Sequence, residues 1–160
     1  MMNRRTAVLA ALTIAAASLT GCSGKGETPQ SQESKSQESA SQGPQTTTIQ
    51  ISYDDLLTQK QISRSVKLPV GDFLQVSLGS NASTGYEWED KMLISDPKVI
   101  VQTGHENIAP ATGQPGAPGS EVWMLQTTQR GQTTVSTTYG RPWPGGEKDT
   151  WVFTVNVEVD

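Results

Sequence analysis

Apolar and polar residues alternate with a period of two along most of the chain from Thr46 onward. This alternation predicts β-strands with one buried face, and it recurs in short segments separated by Gly, Pro, Asn and Asp. The segments contain Ile49, Ile51 and Tyr53; Val66 and Leu68; Leu74, Val76 and Leu78; Tyr86 and Trp88; Val99 and Val101; residues 122–125; Thr133, Val135, Thr137 and Tyr139; and Trp151, Phe153, Val155, Val157 and Val159. Beyond the N-terminal segment, no stretch keeps a helical period.

This spacing predicts an all-β fold, an Ig-like antiparallel β-sandwich of seven to eight strands in residues 46–160. Trp88, Trp123 and Trp151 are the largest candidates for its core. The segment that begins at Trp151 has the most regular alternation, and we expect it to form a central strand.

Residues 1–21 have the layout of an export signal. Residues 1–5 are positively charged, residues 6–19 are apolar and rich in Ala, and Leu19-Thr20-Gly21-Cys22 ends on the only cysteine. This ending resembles a bacterial lipobox, which implies a lipoprotein signal peptide and an acylated Cys22 that holds the protein at a membrane. The implied location is the bacterial cell envelope, at the periplasmic or extracellular face. A plain signal peptide with an incidental cysteine is the alternative.

Residues 22–45 predict a flexible tether between the lipidated Cys22 and the sandwich. Ser, Gln, Glu, Lys and Gly dominate this segment, which contains almost no apolar residue. It buries too little apolar surface to offset the entropy lost on ordering, so we expect it to be disordered. As a coil it would hold the sandwich on the order of tens of Å from the membrane.

The charge balance argues against a nucleic-acid partner. The formal charge is −4, and removal of residues 1–21 removes Arg4 and Arg5 but no acidic residue, which makes the charge −6. No basic patch remains that could follow a phosphate backbone. With Cys22 acylated, no thiol is left for a disulfide, and we expect a monomer that its hydrophobic core stabilises.

Residues that could carry catalysis or bind a metal are scarce. His105 is the only histidine, and because its neighbours are polar we expect it to be a solvated loop residue without a catalytic partner. A zinc site needs several His, Cys or acidic ligands. Neighbouring acids such as Asp54 and Asp55 would point to opposite faces of a strand. We therefore expect no enzymatic activity, no metal and no cofactor.

Three loops carry the residue types best suited to binding. The first, Asn81-Ala82-Ser83-Thr84-Gly85-Tyr86, has small side chains between an Asn and a Gly, which tolerate unusual backbone angles. The second, residues 113–120, is rich in Gly and Pro. The third contains Arg141-Pro142-Trp143, in which a proline restricts the backbone between two residue types that often dominate binding energy. Ordinary connections, with Trp143 folded onto the sandwich and Arg141 solvated, are the alternative.

The order of the strands predicts that these loops converge. They follow the second, fourth and sixth strands of the core set, and alternate connections of an antiparallel sandwich emerge at the same end. We therefore expect one surface that is shaped to enter a cleft.

The three loops resemble the signature loops of the chagasin-like cysteine protease inhibitors. The resemblance rests on Asn81-Ala82-Ser83-Thr84-Gly85-Tyr86, on Gly116-Ala117-Pro118-Gly119 and on Arg141-Pro142-Trp143, and it extends from about Val66 to Val159. It implies a reversible, non-covalent inhibitor that plugs the active-site cleft of papain-family peptidases. Thr84 would approach the catalytic cysteine and histidine of the peptidase, and Gly85 and Tyr86 would shape that loop. Residues 116–119 would contact one side of the cleft, and Arg141 and Trp143 the other.

The chain departs from the family pattern at three positions. The family usually has Pro at the position of Ala82, Thr at that of Ser83, and Gly at that of Pro118. The loss of a proline at position 82 could reduce preorganisation by about 0.5–1 kcal/mol. The alternative function is a non-inhibitory surface-binding or envelope-assembly module that uses the same loops for another protein or a glycan, since an exposed Trp143 also suits stacking on sugars.

Overall fold

The computed structural model describes residues 43–148 and 150–160 of the 160-residue chain. The predicted signal peptide, Cys22 and residues 22–42 of the predicted tether lie outside the described residues. The described part contains nine strands, one α-helix and one 3-10 helix: β1 (Thr46–Ile51), α1 (Tyr53–Thr58), β2 (Gln61–Leu68), β3 (Phe73–Ser80), the 3-10 helix (Ala82–Thr84), β4 (Glu87–Trp88), β5 (Leu93–Ile94), β6 (Ile100–Ile108), β7 (Gly119–Thr127), β8 (Gly131–Gly140) and β9 (Trp151–Val159). Within this part, no helix has the length and apolar character needed to cross a bilayer.

The strands form two sheets that enclose one core. One sheet has the order β1-β3-β7-β6, and the other has the order β2-β9-β8-β4, with β5 also paired to β8. This arrangement confirms the predicted β-sandwich, and β9 lies between β2 and β8, as expected for the most regular segment. The described strands number nine rather than the predicted seven to eight, because β5, with only two residues, is too short for an alternation to reveal.

Two strand pairs are parallel, although the sequence predicted an antiparallel sandwich. β1 pairs with β3 and β2 pairs with β9, while the other pairs are antiparallel. Parallel and antiparallel strands share the same period of two, so the alternation of residues cannot distinguish them. The register of β2 on β9 places Lys67 opposite Glu158, and their side chains form an ion pair of 2.9 Å.

The short helix α1 replaces the predicted continuation of the first strand through Tyr53. Ser52 caps the helix, because its Oγ accepts a hydrogen bond from the backbone N–H of Asp55 at 3.1 Å. Two acidic residues in the first turn favour the helix N-terminus as well. The helix backbone passes so close to Gly79 of β3 that a Cβ there would lie 2.2 Å from the backbone nitrogen of Tyr53.

Aromatic residues fill the part of the core that lies nearest the three loops. Trp88 and Trp123 are buried as predicted, whereas Trp151 is only partly buried and meets Tyr139 edge-on at 5.8 Å. The indole N–H of Trp88 donates to the carbonyl of Gly79 at 3.0 Å, which ties β4 to β3 in the opposite sheet. The rest of the core comes from both sheets and from α1, and it includes Leu56, Leu74, Val76, Leu125, Val135, Phe153 and Val155.

Candidate functional site

The first loop is a single turn of 3-10 helix that begins after Asn81 and ends at Gly85. The backbone of Asn81 is extended, with φ −140°, and its Oδ1 accepts hydrogen bonds from the backbone N–H of Ser83 at 3.1 Å and from the Ser83 hydroxyl at 2.7 Å. Gly85 ends the turn with φ 76°, in the left-handed region that favours glycine. The expected unusual backbone therefore occurs at Gly85, while Asn81 contributes a helix cap through its side chain.

The polar groups of this loop are bonded mainly to one another. The Thr84 hydroxyl donates to the carbonyl of Asn81 at 2.6 Å and accepts from the backbone N–H of Tyr86 at 3.3 Å. The backbone N–H groups of Thr84 and Gly85 donate to the carbonyls of Asn81 and Ala82 at 3.0 and 3.1 Å. The loop therefore holds a compact shape, with Ala82 exposed on its outer side.

The second loop joins β6 to β7, and a tight turn forms its contact with the first loop. The backbone N–H of Ala117 donates to the carbonyl of Gln114 at 3.2 Å, with Pro115 and Gly116 between them. Gly116 has φ 82°, so proline and glycine stand at the positions that a type II turn favours. The side-chain amide of Asn81 donates to the carbonyl of Gly116 at 2.9 Å and fastens this turn to the first loop.

Gly119 lies in β7, although the sequence placed it in the second loop. It pairs with Ser80, and a Cβ at this position would come within 2.4 Å of the carbonyl oxygen of Ile108 in β6. The residue therefore allows close approach of strands, and Pro118, which is exposed, is the last residue of the loop. The Gly- and Pro-rich composition hid the start of the strand, because glycine suits a turn and a crowded strand equally well.

The third loop, residues 141–148, leaves β8 and closes on itself. The backbone N–H of Arg141 donates to the carbonyl of Glu147 at 2.6 Å, and the N–H of Gly146 donates to the carbonyl of Trp143 at 3.0 Å. Pro144 and Gly145 lie between Trp143 and Gly146, and Gly145 has φ 80°. This turn again matches the proline and glycine preferences of type II.

Arg141 and Trp143 pack against the first loop. The guanidinium Cζ of Arg141 lies 4.6 Å from the ring centroid of Tyr86 and 5.7 Å from that of Trp143, which are cation–π distances. The indole of Trp143 covers Gly85 so closely that a Cβ there would lie 2.6 Å from Cη2. Arg141 is therefore partly buried rather than solvated, whereas Trp143 remains 45% exposed.

Tyr86 connects the first loop to the third loop and to the core. Its ring stacks on Tyr139 at 5.5 Å and meets Trp151 edge-on at 5.4 Å. Its hydroxyl donates to a carboxylate oxygen of Glu147, and this bond is the main reason that the pKa of Tyr86 is raised. The hydroxyl of Tyr139 in turn accepts the backbone N–H of Asn81 at 2.9 Å.

The structure therefore brings the three loops together. They follow β3, β6 and β8 in the chain. The strand numbers differ from the expected second, fourth and sixth because β1 and the two-residue strand β5 also belong to the sandwich. Sequence reasoning missed two residues that fasten the loops, Tyr139 and Glu147. Tyr139 looked like an ordinary core position, and the role of Glu147 depends on Tyr86, which is distant in sequence. No local pattern marks such a pair.

His105 lies in β6 and is partly buried, so the prediction of a solvated loop residue was wrong. Its ring stacks on Trp123 with 4.8 Å between centroids, its Nε2 lies 3.0 Å from a carboxylate oxygen of Glu121, and its Nδ1 lies 3.5 Å from Asp90. Residues of β6 that face solvent gave the segment its polar composition. Burial raises the pKa of the Glu121 carboxyl, and the hydrogen bond with His105 opposes that rise.

Asp90, His105 and Glu121 also form the one group in the described part of the chain that could hold a metal ion, with ligand atoms within 4.8 Å of one another. A single ion could use only one nitrogen of the ring, and both nitrogens already face carboxylates. Glu121 also accepts the backbone N–H of Trp88 at 3.5 Å. The group is thus arranged as a hydrogen-bonded support for β4, the strand that follows the first loop.

The exposed part of the site consists of small side chains, turns and one large aromatic ring. Ala82 and Ser83 lie at the front of the first loop, Pro118 and Trp143 lie on the other two loops, and all four are exposed. Hydrogen bonds and ring contacts hold these loops in place before any partner binds, which reduces the entropy lost on binding. The fold and this surface define a β-sandwich that presents three prearranged loops side by side.

Comparisons with known proteins agree with this class. The family model for the chagasin family peptidase inhibitor I42 matches residues 67–157. Chagasin from Trypanosoma cruzi is 26% identical over 106 residues, which cover 65% of this chain and 96% of chagasin.

Two solved structures share the fold. The cysteine protease inhibitor EhICP2 from Entamoeba histolytica matches with a TM-score of 0.54 at 21% identity, over 74% of this chain and 100% of that chain. PbICP-C, which was solved in complex with falcipain-2, matches with a TM-score of 0.51 at 18% identity, over 72% of this chain and 99% of that chain.

The chain belongs to the chagasin family of peptidase inhibitors, since the family model covers more than half of it. Members of this family inhibit peptidases and are not enzymes, which confirms the expectation that the chain is not an enzyme.

Proposed function

We propose that the protein is a reversible, non-covalent inhibitor of papain-family cysteine peptidases that blocks the active-site cleft with its three loops. The observation that carries the proposal is the fastening of these loops to one another. Asn81 bonds to the second loop, Tyr86 bonds to the third, and Trp143 packs on Gly85. A surface held in this way can fill a cleft with little further ordering.

In this proposal the first loop enters the cleft and excludes substrate. Thr84 approaches the catalytic cysteine and histidine, while Ala82 and Ser83 fit the narrow part of the cleft. Cleavage of the loop requires a scissile carbonyl aligned with the nucleophile. The carbonyls of Asn81 and Ala82 instead accept hydrogen bonds within the 3-10 turn, which keeps the backbone from extending.

The other two loops contact the enzyme on either side of the cleft. Gly116, Ala117, Pro118 and the strand-initial Gly119 offer backbone and small side chains on one side. Arg141, Pro142 and Trp143 offer a stiff aromatic edge on the other, and the exposed Trp143 is the residue type that most often anchors an interface.

Hydrogen bonds of the Asn81 side chain compensate for the absence of the family's usual proline at position 82. Ala82 leaves the backbone freer than the usual proline does, but Asn81 accepts two hydrogen bonds from Ser83 and donates one to Gly116. Each such bond contributes on the order of 0.5–1.5 kcal/mol, which matches the preorganisation lost with the proline. We therefore propose that inhibition is retained with Ala82 and Pro118 in the loops.

Papain is a suitable test enzyme for residues 23–160, a soluble form that keeps the whole sandwich and omits Cys22. We expect this form to be a monomer and to inhibit papain with an inhibition constant below about 1 µM. Thr84→Asp and Trp143→Ala should each weaken inhibition, while Thr84→Ser, which keeps the hydroxyl bond to Asn81, should retain it. A folded protein that leaves papain active at high micromolar concentration would remove the inhibitory function, and unchanged inhibition in both weakening variants would remove the loop assignment.

We also propose that Cys22 is lipidated and that residues 22–45 tether the inhibitor to the outside of a bacterial membrane. The lipobox-like Leu19-Thr20-Gly21-Cys22 and the polar composition of the following segment support this location. Mass spectrometry of the protein from membranes should find an N-terminal acylated Cys22, and Cys22→Ser should release the protein from the membrane fraction. An unmodified Cys22 in a fully soluble protein would contradict the anchor without affecting the inhibitory proposal.

A further inference from the structure

We propose that Glu147 is a positioning residue that couples the third loop to the first through the hydroxyl of Tyr86, so that Arg141 and Trp143 are held ready for the peptidase. The inference rests on the proposed inhibitory function, which it deepens. Neither the loop motifs in the sequence nor the family resemblance assigns a role to Glu147.

Glu147 lies where the third loop closes. Its backbone carbonyl accepts the N–H of Arg141 at 2.6 Å, which brings the two ends of the loop together. The adjacent Lys148 reinforces this closure, because its Nζ donates to the carbonyls of Arg141 at 2.8 Å and of Trp143 at 3.1 Å. The two residues thus fix the backbone on both sides of Pro142.

The side chain of Glu147 links the closed third loop to the first loop. Its carboxylate accepts the hydroxyl of Tyr86, whose ring lies beneath the guanidinium of Arg141. Tyr86 therefore contacts the third loop twice, through its hydroxyl and through its ring. The same bond raises the pKa of Tyr86, which provides a direct signal of whether the contact forms in solution.

Arg141 depends on this arrangement for its place. Its Nε is buried and has no hydrogen-bond partner among the described residues, and its Nη2 makes one long bond of 3.5 Å to the carbonyl of Thr84. The guanidinium also lies at cation–π distance from the rings of Tyr86 and Trp143. If the loop moved away from Tyr86, the guanidinium would return to water and Trp143 would leave Gly85.

The prolines alone do not fix this geometry. Pro142 and Pro144 set their own φ angles and restrict the residues before them, but they do not orient the loop relative to the first loop. The bond between Glu147 and Tyr86 contributes to that orientation, together with the packing of Arg141 on Tyr86 and of Trp143 on Gly85.

A double-mutant cycle with Tyr86→Phe and Glu147→Ala in residues 23–160 tests the coupling. Each single variant should weaken papain inhibition about three- to tenfold, the range expected for one hydrogen bond, and the double variant should be no weaker than either single variant. Glu147→Gln retains an acceptor for the hydroxyl and should preserve inhibition to within about threefold. Glu158→Ala, which removes a carboxylate at the opposite end of β9, is the matched control and should have no effect.

Two readouts need no peptidase and so separate this inference from the inhibitory function. Loss of the carboxylate in Glu147→Gln should lower the pKa of Tyr86, as measured by NMR titration. Glu147→Ala should speed hydrogen exchange of the Arg141 and Gly146 amides by about tenfold, whereas Glu158→Ala should not. Unchanged exchange and an unchanged Tyr86 titration would overturn the coupling, whether or not the wild-type protein inhibits. A different result would overturn the role of the coupling in binding. In that case both readouts would show the coupling, but the losses of inhibition in the two single variants would multiply in the double variant.

Discussion

Replacement of Gly85 by alanine should displace Trp143 and thereby weaken inhibition. Gly85 has φ 76°, and an added Cβ would lie 2.6 Å from Cη2 of the Trp143 indole and 3.1 Å from Cζ3. Real Cβ atoms do not approach other atoms so closely, so the ring must move. Movement of the ring would also remove it from the guanidinium of Arg141.

The expected loss of stability has two parts. A residue with a Cβ in the left-handed region is strained by about 1–2 kcal/mol. Loss of the contact between Trp143 and Arg141 adds about 0.5–1 kcal/mol at a partly exposed site. Gly85→Ala should therefore lower the free energy of unfolding by about 1.5–3 kcal/mol and, if Trp143 anchors the interface, weaken inhibition by about thirtyfold or more.

Gly71 provides a matched control for the backbone part. It has φ 94° in the turn before β3, at the opposite end of the sandwich, and nothing lies within 4 Å of its added Cβ. Gly71→Ala should lose only the part of the unfolding free energy that comes from backbone strain, and it should inhibit papain normally. In a Trp143→Ala background, Gly85→Ala should likewise lose only the unfolding free energy that comes from backbone strain, because the ring that it would displace is absent.

Urea unfolding followed by circular dichroism gives the stabilities, and inhibition constants against papain give the affinities. The reasoning would be refuted by a Gly85→Ala variant that inhibits as well as Gly71→Ala does. Equal losses from Gly85→Ala with and without Trp143 would refute the packing contact itself.

Three further predictions concern the supports of the site. Tyr139→Phe removes the acceptor of the Asn81 N–H and should lower the free energy of unfolding by about 1–3 kcal/mol, measured by urea unfolding. Asn81→Asp keeps the helix cap but replaces the donor to the carbonyl of Gly116, so it should weaken papain inhibition with little change in unfolding; an unchanged inhibition constant would count against the link between the loops. Burial raises the folded-state pKa of Glu121 above 4.5, so the stability that its protonated form contributes is lost as the pH rises through that raised value. Glu121→Gln should therefore flatten the fall in unfolding free energy as the pH rises above the ordinary range of a glutamate carboxyl, and an identical slope in both proteins would contradict this assignment.

The sequence predicted the sandwich because each strand buries one face. Alternation marked β9 as a regular central strand, and the large apolar side chains of Trp88 and Trp123 could be assigned to the core without knowledge of the partners of their strands. The tight turn at Gly85 was likewise predictable, because glycine is the residue that adopts a left-handed backbone without strain.

Other features depend on which residues meet across the fold, and local pattern does not contain that information. His105 has polar neighbours in sequence, but it packs on Trp123 and bonds to Glu121. The parallel strand pairs share the alternation of antiparallel ones. The acceptor for the Tyr86 hydroxyl, Glu147, lies on a different loop.

The measurement that tests the account most directly is the inhibition of papain by residues 23–160, with Thr84→Asp and Thr84→Ser alongside. We predict reversible, substrate-competitive inhibition by the wild type below about 1 µM, near-equal inhibition by Thr84→Ser, and a loss of at least about tenfold in Thr84→Asp, because a charge enters the cleft without a partner. A folded wild-type protein that leaves papain fully active at high micromolar concentration would contradict the central claim.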